Sequence, residues 1–200
     1  MVAETGVNRC PWPGTDPLYI QYHDEEWGVP KSADREFFEK LILEGFQSGL
    51  SWITVLRKRA GFRAAFDDFD PEKMVRYGDE KMVALLQDTG IIRHRAKIEA
   101  AVANASAYLA MRRTQSLSGF FWDFVDGEPI QNRFAEMSEV PSETALSQRI
   151  AKELKARGFR FCGPTTVYSL MQACGLVNDH LTGCYRHGEC AALMRVKVPH

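Results

Sequence analysis

Two cysteine–histidine pairs lie at opposite ends of this 200-residue chain. Cys10 and His23 come near its start, and His180 and Cys184 come near its end. Two thiolates and two imidazoles are a common donor set for a closed tetrahedral zinc site. The spacing of four between His180 and Cys184 predicts one face of a helix, whereas Cys10 and His23 are too far apart for a finger motif. The pattern therefore fits a metal that joins both ends of the fold, and equally fits two unrelated histidines and two buried thiols.

Glu44 is a carboxylate inside an otherwise apolar run. If the helix continues, Glu44, Ser48 and Trp52 follow one side of it at intervals of four. A buried ionised carboxylate needs hydrogen-bond donors or a cation, or else it takes up a proton. Two interpretations remain open: backbone amides near Gly45 bind Glu44, or Glu44 forms the floor of an aromatic pocket.

Four aromatic residues with polar atoms are concentrated near the start of the chain, in a stretch with little continuous apolar character. They are Trp12, Tyr19, Tyr22 and Trp27. Such residues are usually core anchors, but around a cavity they form stacking walls for a planar ligand.

A turn that contains Gly90 and Ile91 separates a predicted helix from a basic one, which begins with Arg93, Arg95 and Lys97. The pattern resembles a helix-hairpin-helix, in which glycine permits a left-handed turn and backbone N–H groups face a DNA phosphate. Ordinary helix corners look similar, and the second glycine of the consensus is missing. The net charge of −1 neither supports nor excludes a nucleic-acid partner.

Helices must position these residues, because no alternating run of β-branched residues is long enough for a sheet. Apolar periodicity and cap signals predict an all-α protein, with a helix start at Pro71 and a Ser142 cap. The predicted helices span 36–43, 49–56, 80–88, 93–111, 142–157 and 164–175, and a short one carries His180 and Cys184. The aromatic stretch 119–129 is predicted to be rich in turns.

The chain has neither a signal-peptide pattern nor an apolar stretch long enough to span a membrane. We therefore predict a cytoplasmic protein without a membrane partner. Its five cysteines favour thiols or metal ligands over a disulfide framework. The predicted domain covers 9–184, with an extension over 1–8 and a weakly patterned tail over 185–200.

Together, five blocks of sequence resemble the bacterial 3-methyladenine DNA glycosylase I family. They are CPW at 10–12, YIQYHDEEWGVP at 19–30, EGFQSGLSW at 44–52, GIIRHRAKI at 90–98 and GPTTVYSLMQACGLVNDH at 163–180. The likeness runs in order from about Arg9 to Cys184. It implies a helix-hairpin-helix DNA glycosylase fold closed by one structural Zn²⁺ between the N- and C-terminal segments.

The resemblance also implies roles for individual residues. The zinc ligands would be Cys10, His23, His180 and Cys184. Glu44 would be the catalytic carboxylate of the pocket, and the substrate-binding residues would be Trp12, Tyr19, Tyr22, Trp27, Trp52, Thr165, Tyr168 and Ser169. The hairpin residues Gly90, Ile91, Arg93, Arg95 and Lys97 would bind DNA.

The implied reaction is the hydrolytic excision of 3-methyladenine from alkylated double-stranded DNA, which releases the free base and leaves an abasic site. We expect a monofunctional monomer, because the hairpin region has arginines where a Schiff-base lysine would be sought. Two alternatives stay open. One is a non-catalytic zinc module that binds DNA, and the other is a zinc hydrolase that uses Asp24, Glu25 or Asp179, with His187 and Cys190 as replacement ligands.

Overall fold

The computed structural model describes residues 6–193, which are mostly helical. Eleven α-helices lie in this part of the chain: α1 (Pro17–Glu25), α2 (Asp34–Gln47), α3 (Trp52–Arg57), α4 (Arg59–Ala65), α5 (Pro71–Met74), α6 (Asp79–Gln87), α7 (Arg95–Met111), α8 (Leu117–Asp123), α9 (Ala145–Ala156), α10 (Pro164–Ala173) and α11 (Tyr185–Leu193). Two 3₁₀ turns, Asp67–Phe69 and Met137–Glu139, complete the helical part.

Helix α2 is the centre of the fold. It packs against α3, α7, α8 and α10, and every residue from Phe37 to Phe46 except Glu39 is buried. The stacked pairs Phe37–Phe121 and Phe38–Tyr108 attach α2 to α8 and α7. Because α2 is covered on so many sides, any polar side chain it carries inward is removed from bulk water.

A short parallel pairing joins two distant loops. Strand β1 (Ile130–Gln131) pairs with β2 (Val177–Asn178), which follows α10. The all-α prediction therefore missed one pair of strands, each two residues long. The pairing holds the loop that precedes α9 next to the loop that leads to His180.

The predicted helix around His180 and Cys184 is wrong. Both residues lie in a turn between β2 and α11, and the chain becomes helical only at Tyr185. The chain forms a turn here and not the predicted helix, because the Leu181 amide donates to the Cys10 sulfur and both His180 and Cys184 are buried. The tail, predicted to be weakly patterned, is helical over Tyr185–Leu193, while 1–5 of the predicted extension and 194–200 lie outside the described residues.

Other helix boundaries also differ from the prediction. The stretch 119–129 contains most of α8, and the predicted turns are confined to the residues after Asp123. Helix α9 starts after Thr144, whose hydroxyl accepts from the Ser147 amide, so Ser142 is not the cap. Helix α1 was not predicted; Asp16 caps it by accepting from the amides of Leu18 and Tyr19. No helix in residues 6–193 has the length and hydropathy that a bilayer span requires.

Candidate active site

Helix α1 and the turn before it form one aromatic wall. Tyr19 and Tyr22 are one helical turn apart, and the Trp12 ring lies 4.9 Å from Tyr19 and 6.4 Å from Tyr22 between centroids. The Trp52 ring, at the start of α3, is 5.4 Å from that of Tyr22. Burial, with the nearby Glu44 carboxyl as a second cause, raises the pKa of both tyrosines, so they remain neutral donors.

Glu44 lies on α2 beside this wall. Glu44 is only 4% exposed, and its Oε2 atom is buried without a hydrogen-bond partner. Loss of hydration raises the pKa of Glu44 to about 8, with Lys40 acting in the opposite direction. Backbone amides near Gly45 therefore do not bind this carboxylate oxygen. The helix does not continue through Ser48 to Trp52, because α2 ends at Gln47.

One face of α10 forms the opposite wall. Thr165, Tyr168, Ser169 and Gln172 recur at helical spacing and line the same cavity as Glu44. Asp179, beyond β2, accepts hydrogen bonds from the Tyr168 hydroxyl at 2.6 Å and from Gln172 Nε2 at 2.7 Å. A third bond at 2.6 Å comes from Asn132 Nδ2. These three donors fix the wall and leave Asp179 well paired.

The walls enclose a cavity of about 280 Å³, near the lower end of the ~300–1,000 Å³ usual for small-molecule sites. All the predicted substrate residues line it together with Glu44: Trp12, Tyr19, Tyr22, Trp27, Trp52, Thr165, Tyr168 and Ser169. The indole Nε1 atoms of Trp12 and Trp52 are buried without hydrogen-bond partners. Three unpaired polar atoms among aromatic rings suit a planar ligand with its own donors and acceptors.

The four cysteine and histidine residues form a second buried cluster. One donor atom from each of Cys10, His23, His180 and Cys184 lies within 4.8 Å of the others. The Cys184 Sγ is 3.6 Å from His23 Nε2 and 3.7 Å from His180 Nδ1, and Cys10 Sγ is also 3.7 Å from that Nδ1. Ligands about 2.0–2.3 Å from a tetrahedral ion lie roughly 3.5 Å apart, so the donor set fits Zn²⁺.

The remaining ring nitrogen of each histidine faces an acceptor. His23 Nδ1 is 2.7 Å from Asp24 Oδ1, which Arg9 also binds, and His180 Nε2 is 3.1 Å from the Trp27 carbonyl oxygen. Such partners turn the free nitrogen of a histidine toward a metal. The hydrogen bond from Cys10 lowers the pKa of Cys184, which favours the thiolate form that binds a metal.

Comparisons with known proteins identify the family of the chain. A model of the methyladenine glycosylase family matches residues 12–187. The chain belongs to the methyladenine glycosylase family. The DNA-3-methyladenine glycosylase 1 of Escherichia coli is 51% identical over 179 residues, which cover 89% of this chain and 96% of that protein.

Solved structures of family members superimpose closely on the chain. A crystal structure of 3-methyladenine DNA glycosylase I is 54% identical with a TM-score of 0.88, and covers 89% of this chain and 98% of that one. A variant of 3-methyladenine DNA glycosylase I in complex with 3-methyladenine is 36% identical with a TM-score of 0.85, and covers 89% and 96%.

The predicted hairpin of this methyladenine glycosylase family member corresponds to the turn between α6 and α7. The Asp88 carboxylate accepts from the Gly90 amide at 2.7 Å, and Gly90 does not take the predicted left-handed backbone. The close approach of α4 to this turn requires glycine at position 61, because a Cβ on Gly61 would lie 2.4 Å from the Gly90 carbonyl oxygen. Arg93 and Arg95 are exposed, and Ile91 is buried.

Lys97 differs from the other basic residues of the hairpin. It is 8% exposed, and its Nζ donates to the Phe46 carbonyl at 2.9 Å and to the Ser48 carbonyl at 2.5 Å. The cation therefore binds the C-terminal carbonyls of α2, where the helix dipole favours it. Lys97 thus links the start of α7 to the end of α2, the helix that carries Glu44, and its contact with DNA stays a prediction.

Several residues that line the cavity of this family member were not predicted from the sequence. Besides Gln47, Gln172 and Asp179, they are the rim residues Met137, Val140, Pro141 and Ser142. The rim lies in the loop before α9 and has no periodic pattern. A signal existed only for Gln172, which continues the predicted α10 face at a spacing of seven from Thr165.

Proposed function

We propose that this chain excises 3-methyladenine from alkylated double-stranded DNA by hydrolysis of the N-glycosidic bond, releasing the free base and leaving an abasic site. The observation that carries the proposal is the buried, unpaired Glu44 carboxyl in a cavity lined by Trp12, Tyr19, Tyr22 and Trp52. Membership of the methyladenine glycosylase family supports the same reaction.

The cavity suits a cationic purine. Methylation at N3 gives adenine a positive charge, and the faces of aromatic rings attract cations by ~0.5–2 kcal/mol per contact. Glu44 accepts hydrogen bonds from the exocyclic amine and the ring edge of the base, which favours adenine over guanine. Unmodified adenine lacks the charge and loses these attractions, so binding itself discriminates against it.

The chemical step needs little assistance because the methylated base is already a good leaving group. The enzyme extrudes the nucleotide from the helix. The bond between the sugar C1′ and the base breaks, its electron pair stays on the base, and a water oxygen bonds to C1′ and gives its proton to solvent. No lysine lines this cavity in the described residues, which supports a hydrolase without Schiff-base chemistry.

The hairpin supplies the contact to the DNA backbone in this proposal. The turn at Gly90 and Ile91, whose amides donate to Asp88, presents Arg93 and Arg95 to neighbouring phosphates. Their exposure supports this role. Lys97 stands behind the surface and connects it to the end of α2.

Cys10, His23, His180 and Cys184 hold one Zn²⁺ with a structural role. Four protein ligands leave no open coordination position, so the ion cross-links the chain. The cluster also supports the cavity, since the Trp12 ring lies 5.2 Å from His23 and the Trp27 ring 4.6 Å from His180. This argues against the zinc hydrolase alternative. We further propose a cytoplasmic monomer whose catalytic domain covers 9–184.

The decisive test compares bases released from methylated duplex DNA by the wild type, Glu44→Gln and Glu99→Gln. We expect chromatography to detect free 3-methyladenine with the wild type, and a loss of about 100-fold or more for Glu44→Gln. Glu99→Gln is the matched control, because Glu99 is exposed on α7. DNA binding without base release would favour the non-catalytic module, and full activity of Glu44→Gln would refute the role of Glu44.

A further inference from the structure

Lys40 is a buried cation directly behind the cavity. It precedes Glu44 by one turn of α2, is 4% exposed and does not itself line the cavity. Its ammonium lies 4.5 Å from the centroid of the Tyr22 ring and 5.3 Å from that of Trp52. The cation thus contacts two of the rings that form the cavity wall and shares a helix face with the carboxylate.

The carboxylate that binds Lys40 is already neutralised by another cation. Lys40 Nζ donates to Glu26 Oε2 at 3.4 Å, a long hydrogen bond. Arg59 binds both oxygens of Glu26 at 2.6 Å. Burial raises the pKa of Glu26, but the Arg59 bonds and the charge of Lys40 hold it at about 2. Lys40 therefore acts on two carboxylates, Glu26 and Glu44, while Arg59 offsets the charge of Glu26.

The charges of Lys40, Arg59, Glu26 and Glu44 sum to zero only when Glu44 is ionised. Arg59 and Lys40 contribute two positive charges, and Glu26 and Glu44 contribute two negative ones. A buried charge without a partner is strongly unfavourable, so the two cations of this set stabilise the ionised carboxylates, and the carboxylates stabilise the cations. The further titratable groups that face Lys40 or Glu44 are Tyr19 and Tyr22 from α1 and Cys174 after α10.

We propose that Lys40 is a positioning residue for the glycosylase reaction: its buried ammonium stabilises the ionised form of Glu44 and supports the Tyr22 and Trp52 rings. The inference rests on the proposed function, in which Glu44 must accept hydrogen bonds from the flipped base. A protonated Glu44 has one oxygen fewer for that purpose. Lys40 thereby extends the pH range over which the free enzyme is ready for substrate.

The pH dependence of kcat/KM tests the proposal, since it reports groups of the free enzyme. For Lys40→Met we expect the acid limb of the profile to move up by about 1 pH unit, so that activity falls about 10-fold near pH 7 and recovers at high pH. Lys40→Arg keeps the cation and should restore the limb. A loss that is equal at every pH would mean that Lys40 is only structural, and would overturn the proposal.

Glu26→Gln provides the opposite change at a less buried position. Removing this anion leaves Lys40 and Arg59 to act on Glu44 alone, so the acid limb should move down by about half a pH unit, roughly a threefold gain below pH 7. This variant keeps the test available if Lys40→Met does not fold. A shift in the same direction as that of Lys40→Met, or no shift, would contradict the proposal.

A direct titration separates this inference from the proposed function. Carbon-13 NMR of labelled glutamate side chains, with the Glu44 signal identified by its absence in Glu44→Gln, follows the carboxyl without substrate. We expect its midpoint to rise in Lys40→Met and to fall in Glu26→Gln. If these shifts occur but no 3-methyladenine is released from DNA, the proposed function fails while the electrostatic coupling stands.

Discussion

The cavity and the cysteine–histidine cluster are neighbouring buried sites that differ in how many of their polar atoms have hydrogen-bond partners. In the cluster, every side chain has a partner, and the histidines are oriented by Asp24 and by the Trp27 carbonyl. In the cavity, Glu44 Oε2 and two indole nitrogens have none. Unpaired buried polar groups are costly, and a ligand with its own donors and acceptors would pair with these three. The paired cluster is suited to stabilising the fold, and the unpaired cavity is suited to binding substrate.

Removal of a cluster ligand should have the largest effect on stability. For Cys10→Ser we expect loss of bound zinc and a fall in Tm of about 10–15 °C, because roughly 3–5 kcal/mol of folding free energy depends on the metal. Elemental analysis and calorimetry measure the two quantities. Activity should fall only as the folded fraction falls.

Cys162→Ser is the matched control for this change. Cys162 is also buried, but its thiol donates to the Arg160 carbonyl oxygen away from the cluster, and serine can make the same bond. Zinc content should be unchanged in this variant. A fully folded Cys10→Ser protein without zinc would show that the cluster does not stabilise the fold.

Glu44→Gln should stabilise the protein in a pH-dependent manner. The pKa of Glu44 is raised from 4.5 to about 8 in the fold, so the native state binds more protons than the unfolded state between these values. Wild-type stability therefore decreases as pH rises through this window. Glutamine does not titrate and removes that decrease. The free energy of unfolding of the variant, relative to that of the wild type, should therefore grow by about 3 kcal/mol between pH 6 and pH 9.

Urea unfolding at several pH values measures this difference. Glu39→Gln is a suitable control, because Glu39 is paired with Arg63 near the surface and lies outside the cavity. A stability difference that is constant with pH would mean that Glu44 is not buried in a protonated state, and the contrast between the two sites would lose its basis.

Two tryptophans allow the same contrast within one residue type. The Trp52 indole nitrogen is unpaired in the cavity, whereas Trp122 Nε1 donates to the Lys31 carbonyl at 2.8 Å. Trp52→Phe should weaken binding of free 3-methyladenine about 3–10-fold with little loss of stability, because one hydrogen bond contributes ~0.5–1.5 kcal/mol. Trp122→Phe should reduce stability by about as much and leave base binding unchanged. Fluorescence titration and thermal unfolding distinguish these outcomes.

Sequence patterns revealed the residues that differ chemically from their surroundings. Glu44 was found because a carboxylate interrupts an apolar run, whereas Thr165, Tyr168 and Ser169 were implied by the family resemblance and do line the cavity. The rim from Met137 to Ser142 was missed, because loop residues have no periodic pattern and tertiary pairing positions them.

Tertiary contacts also explain the errors around the cluster. The spacing of His180 and Cys184 indicated a helix, but the Cys10 sulfur accepts a hydrogen bond from the Leu181 amide and fixes a turn instead. Helix α1 was missed because its buried residues, Tyr22 and His23, do not form an amphipathic pattern. Both segments contact the other end of the chain, which no local window contains.

The smallest expected effect concerns the exposed arginines of the hairpin, which touch neither buried site. Replacing Arg93 and Arg95 with alanine should weaken DNA binding about 3–10-fold at moderate salt and reduce the slope of log K against log salt by about two, because two phosphates are no longer neutralised. Arg113→Ala, at an exposed position beyond the other end of α7, should change neither quantity. Release of 3-methyladenine at saturating DNA should stay unchanged, because the cavity is untouched. If saturating DNA does not restore the rate, the hairpin also helps to open the helix and present the base to Glu44.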